Sequence, residues 1–155
     1  NDYLQYAKSQ GEEKFVKINI NDLVESILKN YENKKYNFIS NESVEIDCRK
    51  NLIKRCLSNI ITNGLTYGNK VYIQVKKSIN RAIIIVEDDG PGIPKSEYVN
   101  VFKPFYRVDK SRGLNKSGVG LGLSLAQDII KSHGGDIVLS ESKHKGLLVK
   151  ISLPF

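Results

Sequence analysis

Lys50-Asn-Leu-Ile-Lys-Arg-Cys-Leu-Ser-Asn-Ile-Ile-Thr-Asn-Gly-Leu-Thr-Tyr67 places Leu52, Ile53, Cys56, Leu57, Ile60 and Ile61 on one broad helical face, so a long helix is predicted over about 50–67. Gly68 and Asn69 supply its stop. So wide an apolar stripe needs a surface to cover, and the flanking residues provide one. Downstream, Lys70–Lys77 and Arg81–Glu87 are strand-like runs joined by Ser-Ile-Asn, a hairpin whose second strand leads straight into Asp88-Asp-Gly-Pro-Gly92. A last helix is predicted from about Val119 to Ser132, ending at His133-Gly134-Gly135, with a second hairpin from Ile137–Ser140 and Leu147–Leu153. Upstream, Phe15–Ile20 alternates like a short strand, and Asn21 is the predicted N-cap of a helix through Leu23, Val24, Ile27 and Leu28. Tyr36–Ile39 and Val44–Cys48 read as extended. Strands interleaved with helices predict an α/β two-layer sandwich, a mixed and mostly antiparallel sheet covered by three main helices.

Two stretches stand outside this pattern. Pro94–Ser117 is polar and contains glycine, with one apolar knot at Val101-Phe-Lys-Pro-Phe-Tyr106, and is predicted to be a mobile loop. Asp2–Lys8 is compatible with a helix that Gly11 ends before the polar connector Glu12-Glu13-Lys14. The chain starts in mid-pattern, as if cut from a longer protein, so upstream domains are expected.

At 155 residues and 40% hydrophobic content the chain suits one globular domain and not a disordered one. Its longest apolar run, Ala82–Val86, is far too short to cross a bilayer. The net charge of +7 is compatible with an anionic ligand, but the lysines are scattered, no basic run is interleaved with aromatics, and nucleic acid is not an expected partner. Cys48 and Cys56 are too few for a disulfide scaffold and lack the partners of a zinc site, which fits a reducing cytosol.

Three constellations carry chemistry. Asn59 and Asn63 lie four apart on one face of the long helix, where a buried amide needs hydrogen-bonding partners. Taken alone they read as solvent-side or loop-satisfying residues, although an Asn carbonyl is also a neutral oxygen ligand for Mg²⁺. Asp88-x-Gly90-x-Gly92 follows a strand. A strand-end carboxylate can accept from an exocyclic amine, and the glycines let backbone approach a flat ring, while the same residues also make an ordinary tight turn. Gly118-x-Gly120-x-Gly122 opens a helix, whose free N–H groups suit phosphate oxygens. Leu123 stands where a dinucleotide fingerprint has its third glycine, and Val119-Gly120 stand where a P-loop has Lys and Ser/Thr, so neither motif applies.

The ordered series of paired Asn, Asp-x-Gly-x-Gly, Phe102-x-Pro104-Phe105 and Gly-x-Gly-x-Gly resembles the catalytic ATP-binding domain of bacterial sensor histidine kinases. That family belongs to the gyrase, Hsp90, histidine kinase and MutL superfamily with its Bergerat-type fold. The wording around Arg55–Asn69 and Val86–Ile93 looks most like osmosensor kinases of the EnvZ type. Residues 12–155 would then be the catalytic domain, and 1–11 the remnant of a preceding dimerisation and phosphoacceptor helix with its linker.

The resemblance implies ATP and Mg²⁺ as cofactors, with Asn63 the metal ligand and Asn59 beside the phosphates or a metal-bound water. It makes Asp88 the acceptor for the adenine amino group, Gly90, Gly92 and Ile93 the pocket, and Tyr67 a residue packed on the base. Arg107 would contact phosphate at the border of a lid over about 107–117, Gly118, Gly120 and Gly122 would offer N–H groups to the triphosphate, and Leu121 and Leu123 would anchor the lid. Related hydrolases place a Glu where this chain has Asn59, and an amide cannot act as a general base. Many family members carry Lys or Arg where this chain has Thr66. Neither His133 nor His144 has the acidic neighbour and helix context of a phosphoacceptor, so the acceptor is expected upstream. The implied partners are that upstream domain, a response-regulator receiver domain and a second copy of the parent, which would sit in the bacterial inner membrane with this domain cytoplasmic. The rival readings are a superfamily ATPase or protein-serine kinase, and a nucleotide-sensing or regulator-docking module without catalysis.

Overall fold

The computed structural model describes residues 12–106 and 122–155. Their elements run β1 (Val16–Asn19), α1 (Ile20–Leu28), β2 (Tyr36–Ser40), β3 (Glu45–Cys48), α2 (Lys50–Tyr67), β4 (Val71–Lys77), β5 (Arg81–Asp88), α3 (Gly122–Ser132), β6 (Asp136–Glu141) and β7 (Leu147–Pro154). A five-stranded sheet has the order β2-β4-β5-β7-β6; β2 runs parallel to β4 and the other neighbours are antiparallel. The predicted fold class holds, with one correction. β1 does not join this sheet; it pairs antiparallel with β3 as a separate two-stranded ribbon.

Strand alternation explains which face the helices cover. Val71, Ile73 and Val75 on β4, Ala82, Ile84 and Val86 on β5, and Val149, Ile151 and Leu153 on β7 are buried together with the inner faces of α1, α2 and α3. The register puts Ile73 opposite Val86 and Val86 opposite Val149, so one apolar stripe crosses three strands beneath α2. Each of the Val, Ile and Leu side chains contributes roughly 1.5–3 kcal/mol on burial.

Two local expectations need correcting. The N-cap of α1 is Asn19, whose backbone is extended and whose side chain accepts from Asp22 N at 3.0 Å. Asn21 is already helical, and its amide ties the β2–β3 loop instead, accepting from Val44 N at 3.0 Å and donating to Glu42 O at 3.1 Å. The strand ends early because Ile20, completely buried, turns into the helix and donates to Val44 O.

The segment 94–106 carries the predicted apolar knot at Val101–Tyr106 into the core. It forms two 3₁₀ turns, Lys95–Glu97 and Asn100–Phe102, and buries Val101 while Phe102 and Tyr106 pack against the core. A hydrogen bond from Tyr106 Oη to Glu97 closes it. The predicted lid residues 107–117 and the predicted start of the last helix at Val119 lie outside the described residues.

The connector at Glu13 is also structured. Its carboxylate accepts from Asn51 N at 2.7 Å and Leu52 N at 3.2 Å, so it caps α2 from 38 residues away in sequence. Arg49 Nε donates to Glu13 O at 2.9 Å, and the Arg49 guanidinium lies 4.8 Å from the Phe15 ring centroid. Phe15 in turn sits 5.3 Å from the ring of His133, which follows α3.

Candidate functional site

The C-terminal end of α2, the end of β5 and the turn between β6 and β7 meet around Asp88. A Cβ added at Gly64 would lie 2.7 Å from Val71 Cγ1 and 3.3 Å from Asp88 Cβ, so α2 rests directly on the ends of β4 and β5. One turn later α2 stops at Gly68, whose N–H still reaches Gly64 O at 2.8 Å. Asp89 Oδ1 takes up the next amides, Asn69 N at 2.7 Å and Lys70 N at 3.0 Å. Partial burial pushes the Asp89 carboxyl up, but those amides, with help from the charge of His144, outweigh it and hold the group below its ordinary range.

Asp88 is built differently. Its Oδ1 accepts from Gly90 N at 2.9 Å and Leu147 N at 3.3 Å. Among the described residues none donates to Oδ2. Burial raises the carboxyl's pKa, the Gly90 and Leu147 amides pull it back, and neighbouring Asp89 adds to the rise. The outcome is a half-buried carboxylate with one oxygen fixed and the other available for a donor. Gly90 has to be glycine here, because a Cβ would lie 2.9 Å from Tyr67 O. Gly92 has φ +69°, a Cβ added there would lie 3.2 Å from Lys145 O, and Ile93 lies half-buried against the core. Tyr67, 37% exposed, closes the last turn of α2 beside this loop.

Asn59 and Asn63 stand half-buried one turn apart on the same helix. Asn59 Nδ2 is sealed from solvent and has no acceptor among the described residues. An orphan donor of this kind costs about 1–3 kcal/mol unless something satisfies it. Thr66 Oγ1 donates to Thr62 O at 2.8 Å. No cluster of three or more His, Cys, Asp or Glu able to hold a metal occurs among the described residues. A hard divalent cation bound here would thus draw on amide carbonyl and ligand oxygens, a donor set that the Asn59–Asn63 pair fits.

Of the remaining predicted site residues, Gly122 begins the described part of α3 and Leu123 packs half-buried against the core. Arg107, Gly118, Gly120 and Leu121 lie outside the described residues. Neither histidine has the surroundings of a nucleophile. His133 is buried, donates from Nδ1 to Ile129 O at 2.8 Å and accepts at Nε2 from Arg49 N at 3.1 Å. His144 is stacked on Tyr72 with ring centroids 3.6 Å apart. Burial pushes the Cys48 thiol to about 11 and raises Cys56 further, so both stay protonated and unreactive.

The model of the histidine kinase-, DNA gyrase B- and HSP90-like ATPases matches residues 48–155, from the end of β3 through all three constellations to the last strand. The chain belongs to this family. Sensor histidine kinase WalK of Bacillus subtilis is 41% identical over 117 residues, which are 72% of this chain and 19% of that protein. Sensor protein kinase WalK of Staphylococcus haemolyticus is 31% identical over 167 residues, covering 99% of this chain and 28% of that one. The chain therefore spans well under half the length of these curated relatives. Among solved structures, the nucleotide-free catalytic domain of histidine kinase ThkA superposes with a TM-score of 0.76 at 26% identity, covering 91% of this chain and 97% of that one. The histidine kinase domain of the Escherichia coli osmosensor EnvZ gives 0.70 at 31% identity, with 92% and 90% covered.

The sequence singled out most of the residues that converge around Asp88, but it missed two glycines. Gly64 follows Asn63 and lets α2 touch Asp88. Gly146 is more constrained: a Cβ there would lie 2.0 Å from Asp88 Oδ1 and 2.3 Å from Asp88 O. Its only sequence signal is a Lys-Gly pair between two strand-like runs, which is ordinary turn chemistry.

Proposed function

We propose that this chain binds Mg-ATP and presents the γ-phosphate to a phosphoacceptor histidine upstream of it, as the catalytic part of a two-component sensor kinase. The observation that carries the reading is the pairing of a half-free strand-end carboxylate, Asp88, with an amide pair on the adjoining helix that leaves a buried Asn59 donor unsatisfied. Asp88 Oδ2 would accept from the adenine amino group, while Gly90, Gly92 and Ile93 shape the slot and Tyr67 covers the base. Asn63 would place its carbonyl on the metal, and Asn59 Nδ2 would donate to a phosphate oxygen or a metal-bound water. Held by Asn63 and Asn59, Mg²⁺ would supply neutralisation of the charge that develops during transfer. Arg107 and the N–H groups of Gly118, Gly120 and Gly122 would take the remaining phosphate oxygens, with Leu121 and Leu123 anchoring the lid.

The chain's own contribution is positioning. Holding the triphosphate in line with an incoming imidazole nitrogen converts a bimolecular encounter into a local one. The Nε or Nδ lone pair of the acceptor attacks phosphorus, the bond to the bridging oxygen breaks, and ADP leaves. Asn59 supplies no base, so water bound near the γ-phosphate is not activated, which favours transfer over hydrolysis. Residues 1–11 would be the end of the phosphoacceptor domain, the parent a homodimer in the bacterial inner membrane with this domain on the cytoplasmic side, and the phosphate would pass on to a receiver-domain aspartate. No helix of the described residues is long and apolar enough to cross a membrane, so an anchor would lie elsewhere in the parent.

The test mixes the chain with γ-labelled ATP and Mg²⁺, with and without a separately made phosphoacceptor domain of the parent. Acid-labile label on a histidine of that domain, and only in the mixture, is expected. ATP binding with no transfer in any pairing would sink the kinase reading.

A further inference from the structure

We propose that His144 is a positioning residue for nucleotide recognition: its ring, stacked on Tyr72, holds the β6–β7 turn at the height where Gly146 and Leu147 meet Asp88. The inference rests on Asp88 being the adenine acceptor, and it extends that site to a side chain on the opposite face of the sheet.

Tyr72, Glu87 and Leu148 lie side by side in register on β4, β5 and β7. β4 and β7 are not neighbours, so a residue of the β6–β7 turn touching Tyr72 has to reach across β5, about two strand spacings or ~10 Å. The turn does so over Glu87. Ser142 Oγ donates to Glu87 Oε1 at 2.9 Å, and His144 N donates back to Ser142 Oγ at 3.0 Å. The imidazole then lies on the Tyr72 ring at 3.6 Å and 8° between planes.

The same turn is tied tightly within itself. Ser142 N donates to Gly146 O at 2.9 Å and Lys145 N to Ser142 O at 3.1 Å. Lys145 is held at φ +81°, a conformation that side-chain-bearing residues rarely adopt. Something must hold this strained turn closed, and the ring stack is the contact at its outer end. At its inner end the turn presses Gly146 onto the Asp88 backbone and brings Leu147 N to Oδ1. If the outer contact goes, Lys145 relaxes and the turn lifts. Oδ1 then keeps only Gly90 N, and the carboxylate is free to rotate away from the geometry that leaves Oδ2 for the base. Because the effect enters through the adenine end, it alters how tightly the nucleotide is held and not how the phosphoryl group is transferred.

The test uses the whole chain with His144→Ala, His144→Phe and Asp88→Asn, each checked for folding by circular dichroism. ATP and ADP are titrated calorimetrically, and KM and kcat are measured with the separately made phosphoacceptor domain. His144→Ala is expected to weaken ATP and ADP alike by roughly three- to tenfold, about the worth of one aromatic pair, raising KM with kcat unchanged. His144→Phe keeps the ring and should return affinity to within about twofold of wild type. Wild-type affinity in His144→Ala, alongside weakened binding in Asp88→Asn, overturns the inference and leaves the acceptor assignment standing. A His144→Phe chain as weak as His144→Ala overturns it too, because then the ring is not what matters. Undiminished binding in Asp88→Asn removes the acceptor assignment, and the inference falls with it.

Discussion

Gly146→Ala tests whether the adenine-side wall is as close-packed as the backbone implies. The added methyl would start 2.0 Å from Asp88 Oδ1, 2.3 Å from Asp88 O and 2.7 Å from Asp88 C. Carbon–oxygen contacts need a little over 3 Å, so about 1 Å of movement is required. Rotating the carboxylate clears Oδ1 but not the main-chain atoms, which belong to a strand paired on both sides. The turn therefore has to lift, and Leu147 N leaves Oδ1. Overpacking costs about 1–3 kcal/mol, and a lost hydrogen bond to a charged acceptor about 1.5–3 kcal/mol. Together they give roughly 2.5–6 kcal/mol, or about 5–24 °C in Tm for a chain of this size. ATP affinity should fall at least about tenfold, since Asp88 loses one of its two fixed amides. Gly122→Ala is the matched control, because a Cβ there meets no described atom within 4 Å; its midpoint should move by no more than about 0.5 kcal/mol. Urea unfolding reads both variants, and calorimetric ATP titration reads Gly146→Ala. A Gly146→Ala chain with wild-type midpoint and wild-type affinity would refute the close-packing argument.

Three more outcomes are expected. Asp88→Asn should weaken ATP at least about tenfold yet leave the unfolding midpoint nearly unchanged, because an Asn oxygen still accepts from Gly90 N and Leu147 N; a calorimetric titration like that of wild type rules out the acceptor role. Asn63→Ala should cut Mg²⁺-dependent transfer to the phosphoacceptor domain by about a hundredfold or more, while ATP affinity measured in EDTA stays the same; unchanged transfer means that Asn63 is not the metal ligand. Acid should loosen the chain through His133, whose pKa is lowered mainly by burial and secondly by Arg49, against opposing contributions from Ile129 O and Glu13. The unfolded chain then binds more protons, so the stabilisation is fully present above the unfolded value of about 6.5 and is lost as pH falls from there to the depressed folded value, at about 1.4 kcal/mol per unit between the two. Urea midpoints across pH 5–7.5 should slope accordingly and flatten in His133→Gln; an equal slope in both chains would assign the effect to other groups.

Local signals were the legible ones. The α2 boundaries at Lys50 and Tyr67 follow from six apolar positions at helical spacing and a glycine stop, and the β4–β5 hairpin from two β-branched runs around a polar turn. What stayed hidden depends on partners distant in the chain. Glu13 looks like one more connector charge, and only the fold places it on the first amides of α2. The parallel pairing of β2 with β4 has no short-range signature, because β3 and α2 intervene between the strands. Asn19 and Asn21 are chemically equal cap candidates. The choice fell to Asn19 because Val44 claims the amide of Asn21 and the N–H of Ile20.

The Lys145-Gly146 pair shows why a glycine in a turn is hard to interpret from sequence. Turn chemistry assigns the left-handed backbone to the glycine and an ordinary conformation to the lysine. Here the roles are reversed: Lys145 carries φ +81°, and Gly146 is not among the residues with positive φ. Gly146 is needed for the space its missing side chain leaves for Asp88, and Lys145 carries the strain because its neighbour's position is already fixed by that contact. The demand that selects the glycine comes from a carboxylate 58 residues earlier in the chain, so nothing in the turn's own sequence announces it. A strained non-glycine residue beside a glycine of ordinary φ thus points to close approach as that glycine's purpose, and here it points at the carboxylate on which nucleotide recognition is proposed to turn.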